Sequence, residues 1–434
     1  MNFAPLLSAP AVVSRAAERA EFPQDPHGAH PARFPTGERV RGGYFTPQKE
    51  AFVNLMLRNR RIVALAATLF LAAVPVAAAY AQDPPAAPKP DDTTGKDAKP
   101  AAPGVVVNAN LETYFTYNFN NPGDRKNFFL YNSRDREFGL NYADIRVSKA
   151  VTPDSRTGFT VRLIEGDVKR PTLSAADFEE SDNLLEAYGS LLVPLGTRDL
   201  KVDAGQFVTH LGYETIDIGT NNFFSRAFLF QIPIPFYNAG VRASLPLGAR
   251  TVVTGFLLSQ FNGRTGDAYK DLAPGLQVVQ TLSPTASLVF NVLGSREPVA
   301  ISETESQGKY LSVYELLYIN QFTPAFKLGL DGVYRHWEDT EDQYGVAGYG
   351  TFTVGKGSIV GLRGEYLKID PDGGDDTDLS SLTLSFEPRS SLFTGARTLL
   401  EFRYDHSKDA IFGDDNGGSK KDQYTLTIGQ TFSF

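Results

Sequence analysis

The sequence predicts an all-β protein: a single transmembrane antiparallel β-barrel of about 16 strands, an up-and-down meander with both termini periplasmic. Three observations predict it. A secretory signal is written at 56–81. From residue 105 onward, segments of period two are joined by short Pro- or Gly-rich turns alternating with longer polar loops. The chain closes on an amphipathic strand that ends in an aromatic residue.

Composition narrows the class first. A chain of 434 residues can hold two or three soluble domains or one large barrel. With no Cys there is no disulfide framework, thiolate metal site or cysteine nucleophile. Nineteen Tyr and 31 Phe against one Trp and two Met favour strand formers. A formal charge of −8 argues against nucleic acid as a partner, which needs a basic surface. The slightly negative mean hydropathy excludes a polytopic helical membrane protein. It does not exclude a barrel, whose polar lumen-facing residues dilute the lipid-facing ones.

Met56 opens MLRNRRIVALAATLFLAAVPVAAAYAQDPP. Arg58, Arg60 and Arg61 form a basic region, residues 62–76 an apolar run, and Ala79 and Ala81 the small residues read by a signal peptidase. The segment is a signal peptide cleaved after Ala81, and the run is too short for a bilayer-spanning helix. Residues 1–55 therefore stand oddly upstream. They read as an extension that is untranslated or disordered, with translation starting at Met56. Residues 82–104, rich in Pro, Ala, Lys and Asp, read as a solvated periplasmic linker.

The barrel domain spans 105–434. In its first segment Leu111, Thr113, Phe115, Tyr117 and Phe119 oppose Asn110, Glu112, Tyr114 and Thr116. Short turns fall near 152–154, 194–198, 246–250, 283–285, 323–325, 355–358 and 388–395. Longer connections fall near 121–136, 168–182, 208–236, 262–270, 295–308, 338–342, 370–378 and 407–420. The strands between them are 105–120, 137–151, 157–167, 183–193, 199–207, 237–245, 251–261, 272–282, 286–294, 309–322, 326–337, 343–354, 359–369, 379–387, 396–406 and 422–434. Most are long enough to cross a membrane. In the last, Tyr424, Leu426, Ile428, Phe432 and Phe434 share one face, and Gln423, Thr425, Thr427, Gly429, Thr431 and Ser433 the other. This strand resembles the closing strand of outer-membrane barrels, which implies that Phe434 is the signal read by the outer-membrane assembly machinery.

Sixteen strands enclose a lumen that wall side chains alone do not fill. The alternation places Glu112, Asp144, Arg146, Arg162, Glu186, Asp203, Arg242, Glu315, Asp331, Arg335, Arg363, Glu365, Glu401, Arg403 and Asp405 on its lining. A charge facing lipid near the midplane would cost about 2–4 kcal/mol. The signs alternate, so some of these charges pair within the wall and strong ion selectivity is not written there.

The longest connection, 208–236 (VTHLGYETIDIGTNNFFSRAFLFQIPIPF), carries large aromatics (Phe223, Phe224, Phe228 and Phe230) and a lone Arg226. An apolar loop must pack against something. Folding inward as a constriction is the expectation, with an extracellular cap as the alternative. Around it, Ala204 to Phe207, Gly212 to Glu214, Asn221 to Arg226 and Ile234 to Arg242 resemble the central motif of the OmpL-like β-barrel porin family. The resemblance implies an outer-membrane porin, and the expected function is a water-filled channel for passive diffusion of small hydrophilic solutes; the motif does not predict which solutes pass. It carries no functional residues with it; Glu214 and Arg226 are expected at the constriction because they sit in the motif.

Rival readings are weaker. A barrel hydrolase needs a Ser, a His and an orienting partner together. Ser407 beside His406 points to the opposite face, and no nucleophile-elbow or phosphate-cradling motif is present. The acidic loops 370–378 and 413–418 lack the spacing of an EF-hand, so no metal site or other cofactor is expected. A structural or adhesive barrel without a pore is the remaining alternative. Expected partners are outer-membrane lipid, small hydrophilic solutes and the assembly machinery, with a homotrimer as one form of assembly.

Overall fold

In a computed structural model of the chain the described residues are 104–169, 183–263, 271–300, 306–389 and 395–434. The expected upstream extension, the signal peptide and the linker up to residue 103 lie outside them. So do parts of the connections at 168–182, 262–270, 295–308 and 388–395.

The strands in chain order are β1 (Val106–Asn118), β2 (Phe138–Lys149), β3 (Thr157–Glu165), β4 (Leu184–Leu195), β5 (Arg198–Val208), β6 (Tyr237–Pro246), β7 (Thr251–Leu258) and β8 (Ala273–Ser283). There follow β9 (Ala286–Ala300), β10 (Ser306–Thr323), β11 (Phe326–Trp337), β12 (Glu341–Val354), β13 (Ser358–Pro371), β14 (Thr377–Glu387) and β15 (Ala396–Ser407). A small hairpin, β16 (Phe412–Gly413) and β17 (Ser419–Lys420), precedes the last strand, β18 (Asp422–Ser433). Each barrel strand pairs antiparallel with its neighbours, and β18 joins β15 to β1, so sixteen strands close into one barrel. Closure leaves no unpaired sheet edge.

The two ends of the barrel chain meet. Ala109 and Phe434 exchange backbone hydrogen bonds at 3.2 and 2.9 Å, and Ser433 N donates to Gly395 O in the β14–β15 turn. Both ends therefore lie on the short-turn side. At the other rim some of the expected connections are shorter. Pairing of β9 with β10 carries strand into 295–308, because the ladder continues through Tyr310–Arg296 to Ser306–Ala300. The connection at 338–342 tightens to a turn in which Asp339 adopts φ 49°.

Period two sorts the side chains. Ile145, Leu163, Leu257, Leu316, Val346 and Ile428 are each about half exposed on the outer face, an unfavourable surface in water and a suitable one in hydrocarbon. Aromatic pairs rim this band at both ends. Tyr314–Tyr334 and Tyr404–Tyr424 stack toward the long-loop side, and Phe326–Phe352 toward the short turns. Eight residues separate Tyr344 from Phe352 on β12, roughly 26 Å along a strand and about 20 Å along the axis at the usual tilt. That is close to the height of a lipid-facing belt.

Beyond the belt, Asp376 joins two connections, since Lys368 Nζ lies 2.9 Å from its Oδ2 and Lys408 pairs with its Oδ1. Hydrogen bonds from Lys408, then Lys368, hold its carboxyl down to about 2.

Two outcomes follow from this layout. Leu330, midway between Phe326 and Tyr334 on the outer face, tolerates no charge. Leu330→Arg should lower stability by about 2–4 kcal/mol in refolding titrations with lipid vesicles, against about 0–1 kcal/mol for Val360→Arg at the girdle. The Asp376 clip has a depressed pKa, so its contribution is present above the ordinary carboxylate range and fades as pH falls toward about 2. Hydrogen exchange at residues 372–376 should accelerate between pH 4 and 2, and Asp376→Asn should abolish that step.

Candidate functional site

Inward of the sheet the alternation gathers polar and charged side chains, and the segment between β5 and β6 covers them. Its neck is closed by Thr209 N donating to Phe236 O at 3.0 Å. Its turn of α-helix, α1 (Phe228–Gln231), is buried throughout. Peptide groups taken out of water need partners, and the wall supplies carboxylates. Gly212 N donates to Glu315 at 2.8 Å, and Phe224 N and Ser225 N to Glu401 at 2.7 and 3.0 Å. Phe228 N and Leu229 N donate to Glu365 Oε2, so a carboxylate caps the helical turn. Each such charge-assisted bond contributes about 1.5–3 kcal/mol.

The cations of the wall take the segment's acceptors. Arg363 pairs with Glu214 at 2.6 Å and donates to Ser225 O at 2.9 Å and Thr383 Oγ1 at 3.0 Å. Arg403 donates to Arg226 O at 2.6 Å while its Nε holds Asp405 at 2.6 Å. Arg397 Nη1 donates to Gly219 O at 2.9 Å and its Nη2 to Asn221 O at 3.1 Å. On the other side Tyr142 Oη donates to Asp217, which also pairs with Arg162 and Arg146.

Apolar packing completes the seat. Tyr213 stacks on Tyr349 with ring centroids 4.1 Å apart, and the His210 ring stacks on Phe256 at 4.0 Å. Two wall glycines admit the rings: a Cβ on Gly329 would come within 2.3 Å of the Tyr213 ring, and one on Gly429 within 2.0 Å of the Phe224 ring. Residues from other connections reach the same core. Phe128 packs edge-on against Phe228 and Phe412, and Tyr131 against Phe236. One cluster of buried apolar residues thus joins this segment to inward side chains of β2 through β14, β6 included through Tyr237.

Fifteen wall residues were expected to line the lumen, and they behave differently from one another. Arg146 and Arg242 keep 35% and 21% of their side chains exposed. The other thirteen (Glu112, Asp144, Arg162, Glu186, Asp203, Glu315, Asp331, Arg335, Arg363, Glu365, Glu401, Arg403 and Asp405) are buried in ion pairs, hydrogen bonds or the inserted segment. Glu214 and Arg226, expected at the constriction, both lie within this segment and are covered, at 3% and 0% exposure. Arg226 donates to the carbonyls of Thr215, Phe224 and Ile216, and Glu214 accepts from Ala227 N at 2.7 Å. They shape the segment from within, because a tight fold turns its own carbonyls inward and needs a multidentate donor to meet them.

Lys201 and Lys327 were missed, although each lies an even number of residues from an expected lining position. Residues 128–131 (FFLY), an apolar run inside a polar connection, were a second available signal. Elsewhere, His406 pairs with Asp422 at 2.8 Å, partly exposed, while Ser407 is fully buried and its Oγ accepts from Asp409 N. His336 pairs likewise with Asp342. Among the described residues no group of three or more His, Cys, Asp or Glu could hold a metal ion.

A family model described as "Putative beta-barrel porin-2, OmpL-like" matches residues 104–434. No curated protein sequence matches the chain. Among solved structures it is similar to an anion-selective porin from Comamonas acidovorans (12% identity, 76% of this chain and 99% of that one, TM-score 0.53). It is also similar to OmpT of Vibrio cholerae (12%, 78% and 99%, 0.51) and to the outer membrane channel DcaP of Acinetobacter baumannii (12%, 77% and 99%, 0.51). At such identities the likeness is one of fold.

The glycine seats give a direct check on the packing. Gly429→Val should drive the Phe224 ring off the wall and unseat the segment, while the outer face of the barrel is untouched. Trypsin should then cut after Arg226 in the folded variant, whereas the wild type, with Arg226 fully buried, resists at that bond.

Proposed function

This chain belongs to the OmpL-like β-barrel porin family, and on that basis we propose that its segment 208–236 is the constriction of the channel. An outer-membrane porin is a water-filled passage for small hydrophilic solutes, and the passage is set by whatever narrows its lumen. The observation that carries the reading is the anchoring of segment 208–236 by Glu315, Glu365 and Glu401 inside the barrel. A segment held by buried, charge-assisted hydrogen bonds on several strands keeps one position, as a fixed aperture requires. Glu214 and Arg226 act in this reading as internal braces of the constriction and not as solute ligands.

The finer points of the proposal are its orientation and export. The termini and short turns face the periplasm and the longer connections face outward. A signal peptide at 56–81 directs export, with Gln82 as the first residue of the mature chain and Phe434 as the assembly signal. N-terminal sequencing of protein recovered from outer membranes checks this, and any other first residue defeats it.

The channel itself is tested by reconstitution into a planar bilayer. Stepwise conductance is expected. A membrane that stays sealed at every voltage would instead favour a structural or adhesive barrel. Arg226→Ala strips three carbonyls of their donor, each at a cost of about 1–3 kcal/mol, and should loosen the segment. Its unit conductance should rise and become noisier; an unchanged current trace would defeat the constriction.

A further inference from the structure

On the wall formed by β4, β5 and β6 two cations converge on one carboxylate. Lys201 Nζ lies 2.9 Å and Arg242 Nε 2.8 Å from the same oxygen, Oδ2 of Asp203. The other oxygen accepts from Ser190 Oγ at 2.6 Å. Asp203 is thus fully engaged, and the group carries a net charge of +1. Burial is uneven in the same direction: the carboxylate is 3% exposed, against 40% for Lys201 and 21% for Arg242. What faces the lumen is the positive side of the cluster.

The guanidinium also lies over two aromatic rings and is left open. Its centre lies 4.4 Å from the Phe207 ring centroid and 5.2 Å from that of Tyr188, stacking that a planar cation favours. Only Nε makes a hydrogen bond among the described residues, so both terminal nitrogens present free N–H groups. A planar pair of parallel donors beside a primary ammonium matches the oxygens of a carboxylate or a phosphate.

We propose that Lys201 and Arg242 form an oxyanion-binding station on the lumen wall, through which the chain passes small carboxylates and phosphates in preference to cations. The inference rests on the porin reading for its transport consequence, but not for the binding itself. Two features favour selection here. The aromatic rings preorganise the guanidinium, so little rotamer freedom is lost on binding. The low-dielectric walls of a narrow lumen focus the field of the exposed charges on whatever enters. Arg146, 35% exposed on β2, adds a further cation to the same side of the lumen, its carboxylate partners Glu186 and Asp217 being less exposed at 7% and 20%.

Two measurements separate binding from conduction. Calorimetric titration of the detergent-solubilised full chain with inorganic phosphate, and with acetate, reads the station alone. Saturable binding is expected, weakened about tenfold in Lys201→Gln and in Arg242→Gln. Arg242→Lys should keep the charge but lose part of the affinity, since it lacks the fork. Lys201 is the more exposed partner, so its variant remains decisive if Arg242→Gln fails to fold. The reversal potential in a potassium chloride gradient then reads transport, with chloride preference expected and a shift toward zero in Lys201→Gln. Failure of both anions to bind, or binding unaffected by either substitution, overturns the station. Binding of only one of the two identifies the oxyanion it takes. Binding without any conductance removes the porin reading and the transport claim, and leaves the station. Conductance with cation preference overturns the selectivity.

Discussion

Everything inside this barrel depends on one exchange. Peptide N–H groups of an inserted segment are bonded by carboxylates of the wall. A sixteen-stranded sheet closed on itself satisfies its own backbone, and its outer face asks only for lipid. The inner face is different. Charges such as Glu365, Glu401, Arg363 and Arg403 would each be costly if covered without partners. A segment with its own unpaired peptides would be as costly. Each supplies what the other lacks, so the wall and the segment are stable together in a way that neither would be alone. The apolar contacts around Phe228, Phe230 and Tyr131 then exclude water from the exchange and strengthen it.

The barrel was legible because a membrane imposes period two with little tolerance. A slip of one residue would turn Leu328 and Leu330 inward and Lys327 and Asp331 into lipid. Strand limits consequently fall within a few residues of the positions read from alternation alone, and the largest departure, at 295–308, is pairing that simply continues past Ser295. The inner face was legible only in part. That Arg363 and Glu365 point inward follows from parity. That Arg363 meets Glu214, while Glu365 meets Phe228 and Leu229, depends on contacts between residues more than a hundred positions apart, which no local pattern records. Arg226 shows the same limit from the other side: its charge is visible in the sequence, and its three carbonyl partners are not.

The cluster at Asp203 illustrates how a wall that looks balanced can still be polar toward its contents. Counting signs along the chain gives near neutrality, as at Glu401, Arg403 and Asp405. Depth breaks the balance. At this cluster the short Asp203 side chain lies against the sheet, and the longer Lys201 and Arg242 reach past it and stay partly exposed, the usual behaviour of amphipathic stems. A solute meets the ends of side chains and not their sum.

Gly429 and Phe224 tie the inserted segment to the strand that closes the barrel. The neighbouring contacts of the same segment, from Phe224 N to Glu401, span 177 residues of chain. The seat is therefore unfinished until β15 and β18 have been added to the sheet. Such non-local contacts are the slowest to form. The seated segment is in this sense a record of assembly history: only a barrel whose final strand has zipped in correct register has a place for that ring. A chain stalled one strand short would keep its aromatic side chains exposed and remain open to chaperones and proteases.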